Sequence, residues 1–383
     1  MKIIIAPDSF KGCLTSVEVA SAIEAGIKKA APAIKVTKIP VADGGEGTVN
    51  AFVAATNGEI IKTKVHGPFM NLIDSYFGIL GDKKTAVIEM ASAAGLDLIE
   101  PSKRNPMHTT TFGVGELIAN AMDIGCQDII IGIGGSATTD GGMGMAQALG
   151  IKFYDRNNVL LGQGGRYLNE IASIDMSGLD RRISHCHIMA ACDVKNPLYG
   201  KSGASFVYSR QKGANDEDIH ILDSGLQNLA RIAKNVNQEV FEDTEGAGAA
   251  GGLGFGLLTF LGASLKPGID IVIETCHFME QIKEADLLIT GEGKTDFQTA
   301  YGKVPVGLAL AAKKYNVPVV CISGALGKGY EQVYLHGIDG VFSIIPDAMN
   351  LEDAIKNARR YLEDFSYSLI RTVLSIKNKP FRN

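Results

Sequence analysis

Short apolar runs that end in turns alternate with longer stretches of helical spacing along the chain. Ile3 to Ala6 is an apolar run of the kind that fills a strand buried on both faces, and it closes at Pro7-Asp8. Thr15-Ser16-Val17-Glu18 is a capping-box pattern that predicts a helix with Val19, Ile23 and Ile27 on one face, ended by Pro32. Val36 to Val41 reads as a second strand. Helical spacing then runs through Val49, Phe52 and Val53 and closes at Asn57-Gly58, a favourable C-terminal cap. Strand, loop and helix thus occur twice in succession, the layout of a doubly wound parallel sheet.

The period changes after residue 60. Ile61 to His66, Leu72 to Leu80 and Thr85 to Ala91 predict strands joined by turns at Gly67-Pro68 and Gly81-Asp82, which is a meander. A helix is expected over Gly115 to Met122, a buried strand over Asp128 to Ile133, then irregular α and β segments including a strand over Ile188 to Cys192. Residues 246–256 are rich in glycine and alanine, too apolar for a linker, and predict close backbone packing. From about residue 285 the α/β alternation returns. A strand over Leu287 to Thr290 leads to a loop at Gly291, a helix from Val306 to Lys314 and a strand over Val317 to Ile322. A turn at Gly324–Gly327 into a short helix, a strand over Val341 to Ile345 and a long helix from Leu351 complete the chain. The expected architecture is α/β with two domains. Residues 1–60 and 285–383 form a Rossmann- or flavodoxin-like parallel-sheet domain. Residues 61–284 form an inserted α/β domain with the meander at its start, the two joined around a cleft.

Composition narrows the function classes. At 383 residues the chain exceeds the usual size of one domain. A net charge of -5 argues against a general binder of nucleic acid or membrane surfaces, so an anionic ligand needs local positive charge, available at Lys11, Lys195, Lys212, Lys294 and Lys303. The six cysteines form no CxxC or zinc spacing and predict a reducing compartment. The opening apolar run is too short for a signal peptide, and no apolar stretch reaches the ~20 residues of a membrane helix. A cytoplasmic protein is expected.

Candidate chemistry gathers in glycine-rich, acid-bearing loops placed after expected strands: Asp8–Gly12, Ala42–Thr48, Gly134–Gly142 and Gly291–Asp296. Glycine lets backbone N–H groups approach a phosphate, and carboxylates in such loops hold Mg²⁺ or take a proton from an attacking hydroxyl. Asp193, with Lys195 and Asn196 beside it, ends another expected strand and suits a base or a metal ligand. Together these loops predict phosphoryl transfer. A P-loop and the protein-kinase motifs are absent, and Gly132-Ile133-Gly134-Gly135 lacks the third glycine of a dinucleotide loop, since position 137 is alanine. Structural roles compete at several positions. Glu46 also reads as an acid serving a helix N-terminus, Asp193 as a turn residue and Glu89 as a strand acid.

The same blocks, in this order along nearly the whole chain, resemble the class II bacterial glycerate kinases that form 2-phosphoglycerate. They are DSFKG at Asp8–Gly12, ADGGEGT at Ala42–Thr48, IEMA at Ile88–Ala91, GELI at Gly115–Ile118 and GGSAT-DGG at Gly134–Gly142. ACDV-NPL at Ala191–Leu198, QKGA at Gln211–Ala214, GAGAAGGLGF at Gly246–Phe255 and GEG--D-Q at Gly291–Gln298 follow. Cys13, Thr139, Arg210 and Lys294-Thr295 depart from common residues of that pattern. The resemblance implies ATP-dependent phosphorylation of D-glycerate with Mg²⁺, in a two-domain fold with the middle inserted. Asp193, Lys11 and Asp296 are the expected catalytic residues, and the resemblance leaves the base and the metal ligands open among Asp8, Asp43, Asp193 and Asp296. Gly134, Gly135, Ser136, Thr138, Gly141 and Lys294 are expected at ATP, and Asp8, Ser9, Asp43, Glu46 and Lys303 at the substrate. Asp43 and Asp296 are the expected metal ligands. Another small hydroxy acid as acceptor, or a non-catalytic small-anion sensor, are the alternatives. No nucleic-acid or membrane partner is expected.

Overall fold

Strands from both ends of the chain share one sheet. The structure, a computed structural model of the 383-residue chain, describes residues 1–42, 44–237, 239 and 241–378. Its strands are β1 (Lys2–Pro7), β2 (Lys35–Lys38), β3 (Glu59–His66), β4 (Leu72–Ile79), β5 (Thr85–Glu89), β6 (Asp128–Gly132) and β7 (Lys152–Tyr154). They continue with β8 (Ser173–Asp175), β9 (His187–Ala191), β10 (Ser264–Lys266), β11 (Leu287–Thr295), β12 (Val319–Leu326) and β13 (Gly340–Ser343). The fold divides into two compact units, one of residues 1–43, 50–56 and 269–383, the other of 44–49 and 57–268. The chain therefore returns to the first unit at Ile269, ahead of the expected 285, because the helix Gly268–Thr275 packs there, with Ile269 against Gly307. The Gly44–Val49 segment, expected in the first unit, belongs to the second.

The first unit is a five-stranded parallel sheet in the order β13-β12-β11-β1-β2. Counted within the unit this is 2-1-3-4-5, the flavodoxin-like order, and its direction changes between β1 and β11. Ile3, Ile5, Leu287, Ile289 and Ile322 line one face against the helices Ser16–Ala30 and Leu351–Asn378. Ile4 and Leu288, equally buried, alternate onto the other face. The capping box forms as its sequence predicts: Glu18 N–H donates to Thr15 Oγ1 at 3.3 Å and Thr15 N–H to Glu18 Oε2 at 2.9 Å. Two strands differ from expectation. β2 stops at Lys38, shortly before Pro40, which has no N–H to donate. β11 runs through Gly291 to Thr295, because β12 also continues and Thr295 pairs with Leu326. The turn expected at Gly324 is likewise strand.

The second unit holds a six-stranded mixed sheet, β10-β9-β6-β5-β4-β3, and the small β7-β8 pair. The meander occupies one edge, with β4 antiparallel to both β3 and β5; from β5 to β10 the sheet is parallel. Residues 246–256 make the close packing their composition predicts. They enter the helix Ala249–Leu261 through three left-handed residues, Ala250, Gly251 and Gly252, at φ 53, 70 and 89. The unit also contains the helix Asp216–Ala233, capped reciprocally by Asn215 and Asp218. Among the described residues no helix is long and apolar enough to cross a membrane.

Gly26 tests how tightly the paired helices of the first unit are held. A Cβ there would lie 2.3 Å from the Glu363 carbonyl oxygen and 2.8 Å from Ser366 Cβ. Alanine gains about 1 kcal/mol of helix propensity over glycine, but overpacking a closed contact costs roughly 1–3 kcal/mol or more. Gly26→Ala is therefore expected to lower the urea midpoint. A raised midpoint would show that the helices separate without strain.

Candidate active site

In each unit the candidate residues sit at the carboxyl ends of parallel strands, where open α/β sheets take their ligands. In the first unit the position is the switch point between β1 and β11. Asp8 N–H donates to the Gly291 carbonyl at 2.8 Å, which ties the loop after β1 to β11, and Asp8 Oδ1 accepts from Ser9 N–H at 2.6 Å. Asp8 is buried and Lys11 exposed. A Cβ on Gly293 would come 3.3 Å from the Lys11 nitrogen, so the two loops lie backbone against backbone. Farther along β11, Glu292 is buried and accepts from Thr299 Oγ1 at 2.6 Å and Thr295 Oγ1 at 3.1 Å. Burial pushes its pKa up, while the two hydroxyls and the charge of Lys303 pull it back. Asp296 caps the turn Phe297–Tyr301 by accepting from Gln298 N–H at 3.0 Å, and its Oδ2 lies 3.5 Å from Lys294 Nζ. Lys303 opens the helix Val304–Lys313. The first unit thus brings together Asp8, Ser9, Lys11, Lys294, Asp296 and Lys303. Asp43 lies outside the described residues.

In the second unit three glycine segments meet at the ends of β6 and β9. Gly44 takes φ +87, and a Cβ there would sit 2.7 Å from Ala191 Cβ; its carbonyl accepts from Gly134 N–H at 3.1 Å. The Gly134–Gly142 loop offers a smaller surface than a bare phosphate nest. Ala137 N–H is used by the Ala94 carbonyl at 2.9 Å, Gly141 N–H by Gly251 at 3.1 Å and Gly142 N–H by Asp140 Oδ1 at 3.1 Å. Thr138 through Met143 are buried, so the accessible part is Gly134, Gly135 and the rim of Ser136. Thr138 and Gly141, expected at ATP, are buried on the inner side of the turn. Glu46 is exposed on the Gly44 segment. Asp193 is exposed just past β9, where its Oδ1 accepts from Gly268 N–H at 2.9 Å, a contact that orients the carboxylate.

Three buried charges in this unit carry roles that periodicity alone does not show. Asp140 is fully buried and accepts from Thr111 N–H at 2.8 Å, Thr111 Oγ1 at 2.9 Å, Gly142 N–H at 3.1 Å and Gly144 N–H at 3.2 Å. It stitches the loop to the start of the helices Phe112–Asp123 and Met143–Ala148. Burial pushes its pKa up and these donors draw it back. Glu89, at the end of β5, is also buried rather than an exposed strand acid. Its Oε1 accepts from Val49 N–H at 2.7 Å, and Gly47 N–H and the Tyr76 hydroxyl also bond to it. Burial, with Glu89 and Glu46 nearby, raises the Tyr76 hydroxyl to about 12. Lys212 is the third; its Nζ donates to Ser136 Oγ at 2.8 Å and to the Thr138 carbonyl at 2.6 Å. Only Asp140 stands in a glycine-rich block; Glu89 and Lys212 stand in the IEMA and QKGA segments.

Comparison with known proteins gives one consistent result. A family model described as the glycerate kinase family matches residues 3–374. The chain is 53% identical to a glycerate kinase of Bacillus subtilis over 363 residues, 95% of each chain. It is 49% identical to a glycerate 2-kinase of Escherichia coli over 358 residues, 94% of each. A crystal structure assigned to glycerate kinase 2 of Salmonella typhimurium LT2 superimposes with a TM-score of 0.91 at 47% identity, covering 99% of this chain and 100% of that one.

The weight of Asp140 on the loop is measurable. In Asp140→Asn the amide presents donors where the carboxylate accepts them, so several buried N–H and O–H groups lose partners. Each such loss costs about 1–3 kcal/mol, which places the variant at least about 3 kcal/mol below the parent in urea unfolding. An unchanged midpoint would mean that the loop holds itself.

Proposed function

The chain belongs to the glycerate kinase family, and on that premise we propose that it transfers the γ-phosphoryl group of ATP to the 2-hydroxyl of D-glycerate, giving 2-phosphoglycerate. What carries the reading within the molecule is placement. In both units the acid- and lysine-bearing loops follow the carboxyl ends of parallel strands, and the switch point of the first sheet is one of those places.

In-line attack by the glycerate hydroxyl leaves the protein mainly two tasks, positioning and stabilisation of charge on the transferring group. Lys11 is proposed to meet the transferring phosphate. Gly134, Gly135 and Ser136 form the accessible part of the second anion-binding turn, and Lys294 supports the nucleotide phosphates. Asp8, Ser9, Glu46 and Lys303 are the proposed substrate contacts, with Lys303 as a cation for the carboxylate. Asp193, oriented by Gly268 N–H, is the proposed base for the attacking hydroxyl.

Mg²⁺ accompanies this proposal. Among the described residues no cluster of three or more His, Cys, Asp or Glu could hold a metal ion. Mg²⁺ is commonly held by one or two carboxylates together with substrate phosphates rather than by an all-protein cage. Asp43 and Asp296 are the proposed carboxylates; Mg²⁺ bound with ATP neutralises charge on the phosphoryl oxygens. A cytoplasmic setting, where ATP is available, completes the proposal.

A coupled ADP-release assay with ATP, Mg²⁺ and D-glycerate tests the reaction, with the product resolved by NMR. Glycerate-dependent ADP and a 2-phospho product are expected; ADP release that ignores glycerate would reject the acceptor. Chelation by EDTA is expected to abolish turnover and added Mg²⁺ to restore it. Asp193→Ala is expected to lower kcat by roughly 10²–10⁴-fold, the usual contribution of a positioned base. A loss below about threefold would remove Asp193 from that role.

A further inference from the structure

Lys212 is only 2% exposed, and no other lysine among the described residues is buried. It ends the short turn Arg210–Lys212, where its N–H donates to the Ser209 carbonyl at 3.0 Å. The turn has little freedom. Ser209 Oγ lies 3.0 Å from Thr139 Oγ1, and Gly213 follows at φ +99 with a Cβ position 2.1 Å from the Arg104 carbonyl oxygen. Lys212 Nζ is therefore delivered to one place, inside the Gly134–Gly142 loop, within 2.8 Å of Ser136 Oγ and 2.6 Å of the Thr138 carbonyl.

The polarity of the first contact follows from elementary chemistry. In its charged form Lys212 has three donors and no lone pair, and Ser136 Oγ then accepts from it. The Ser136 hydroxyl hydrogen cannot point back at Lys212 and is left to donate elsewhere. Ser136 stands at the rim of the loop at 9% exposure, next to exposed Gly135. On the same turn Thr138 Oγ1 is buried without a hydrogen-bond partner among the described residues.

We propose that Lys212 is a positioning residue for phosphoryl transfer, whose buried ammonium fixes Ser136 as a hydrogen-bond donor toward an anionic oxygen of a ligand, either a phosphate of ATP or the carboxylate of glycerate. This rests on the kinase reading given above and adds to it a residue that touches no ligand itself. A lysine kept only for packing is a poor alternative. Burial pushes its pKa down to about 7 against the pull of Asp140, the charged group that faces it, so charging it is costly at neutral pH. An apolar side chain of similar length would fill the space without that cost, and such replacements are often neutral or stabilising.

The test is a double-mutant cycle with Lys212→Met, Ser136→Ala and the double variant, with ATP and glycerate varied separately and folding followed by thermal melts. Each single variant is expected to lose roughly 10–100-fold in kcat/KM, somewhat less than the loss of one direct transition-state donor. The double variant is expected to fall no further than the worse single one, because both remove the same oriented donor. A raised KM for ATP assigns the donor to a phosphate, and a raised KM for glycerate assigns it to the carboxylate. Losses that multiply in the double variant would overturn the proposal. If Lys212→Met does not fold, Ser136→Ala decides alone, and activity within threefold of the parent overturns it. Parent protein without glycerate-dependent ADP release would instead reject the kinase reading, so the two failures are distinct.

Discussion

The second unit depends on one contact, the backbone-to-backbone packing of two glycine segments. A Cβ on Gly251 would lie 2.0 Å from the Thr138 carbonyl oxygen, and one on Gly256 2.7 Å from the Gly141 carbonyl oxygen. No side chain fits between these segments, so this side of the Gly134–Gly142 loop is shaped by main chain. Main chain pressed this closely must satisfy its own donors, and Gly141 N–H does so on the Gly251 carbonyl. Where the supply of carbonyls ends, Asp140 takes over as the common acceptor. The accessible part of the loop, Gly134 to Ser136, is what remains after the inner part has been fixed.

The first unit reaches a comparable edge by other means. Its geometry comes from strand order: the reversal between β1 and β11 leaves their carboxyl ends open, and the Asp8 N–H to Gly291 contact pins the first loop to the second strand. Here the carboxylates differ in depth. Glu292 is enclosed by the Thr295 and Thr299 hydroxyls, which suits holding the β11 extension, whereas Asp296 is only half-buried and paired with Lys294. Two acids four residues apart therefore do different work, decided by what surrounds each.

Much of this architecture was legible in the sequence. The Thr15–Glu18 box, the meander, the two-unit α/β plan and the close packing of residues 246–256 all follow from local chemistry, and the structure contains each of them. The misses have physical reasons. Gly291-Glu292-Gly293 has the composition of a turn, but tertiary pairing with β12 overrides that preference and keeps it in a strand. The helix Asp216–Ala233 carries apolar residues at Ile219, Leu222, Leu226 and Leu229, a readable stripe, yet its Asn215–Asp218 cap departs from the commoner Ser/Thr–Glu form. The burial of Asp140, Glu89 and Lys212 was not readable, since charge and sequence position say nothing about depth. Residue type marked candidate segments at the strand ends, but not which side of each loop faces inward.

A buried charge without partners is expensive, and one with partners is seldom better than an apolar replacement. Asp140 is accounted for by structure, because backbone and hydroxyl donors converge on it and would otherwise be left unpaired. Lys212 is different. Its acceptors are a serine hydroxyl and one carbonyl, and neither of these needs an ammonium, since a neutral donor would satisfy both. In the role proposed for it, an ammonium adds a fixed direction for the Ser136 hydroxyl and a positive charge inside the proposed anion-binding turn of a chain whose net charge is -5. In a protein that must hold anionic ligands against its overall charge, a cation built into the loop supplies locally what the composition lacks.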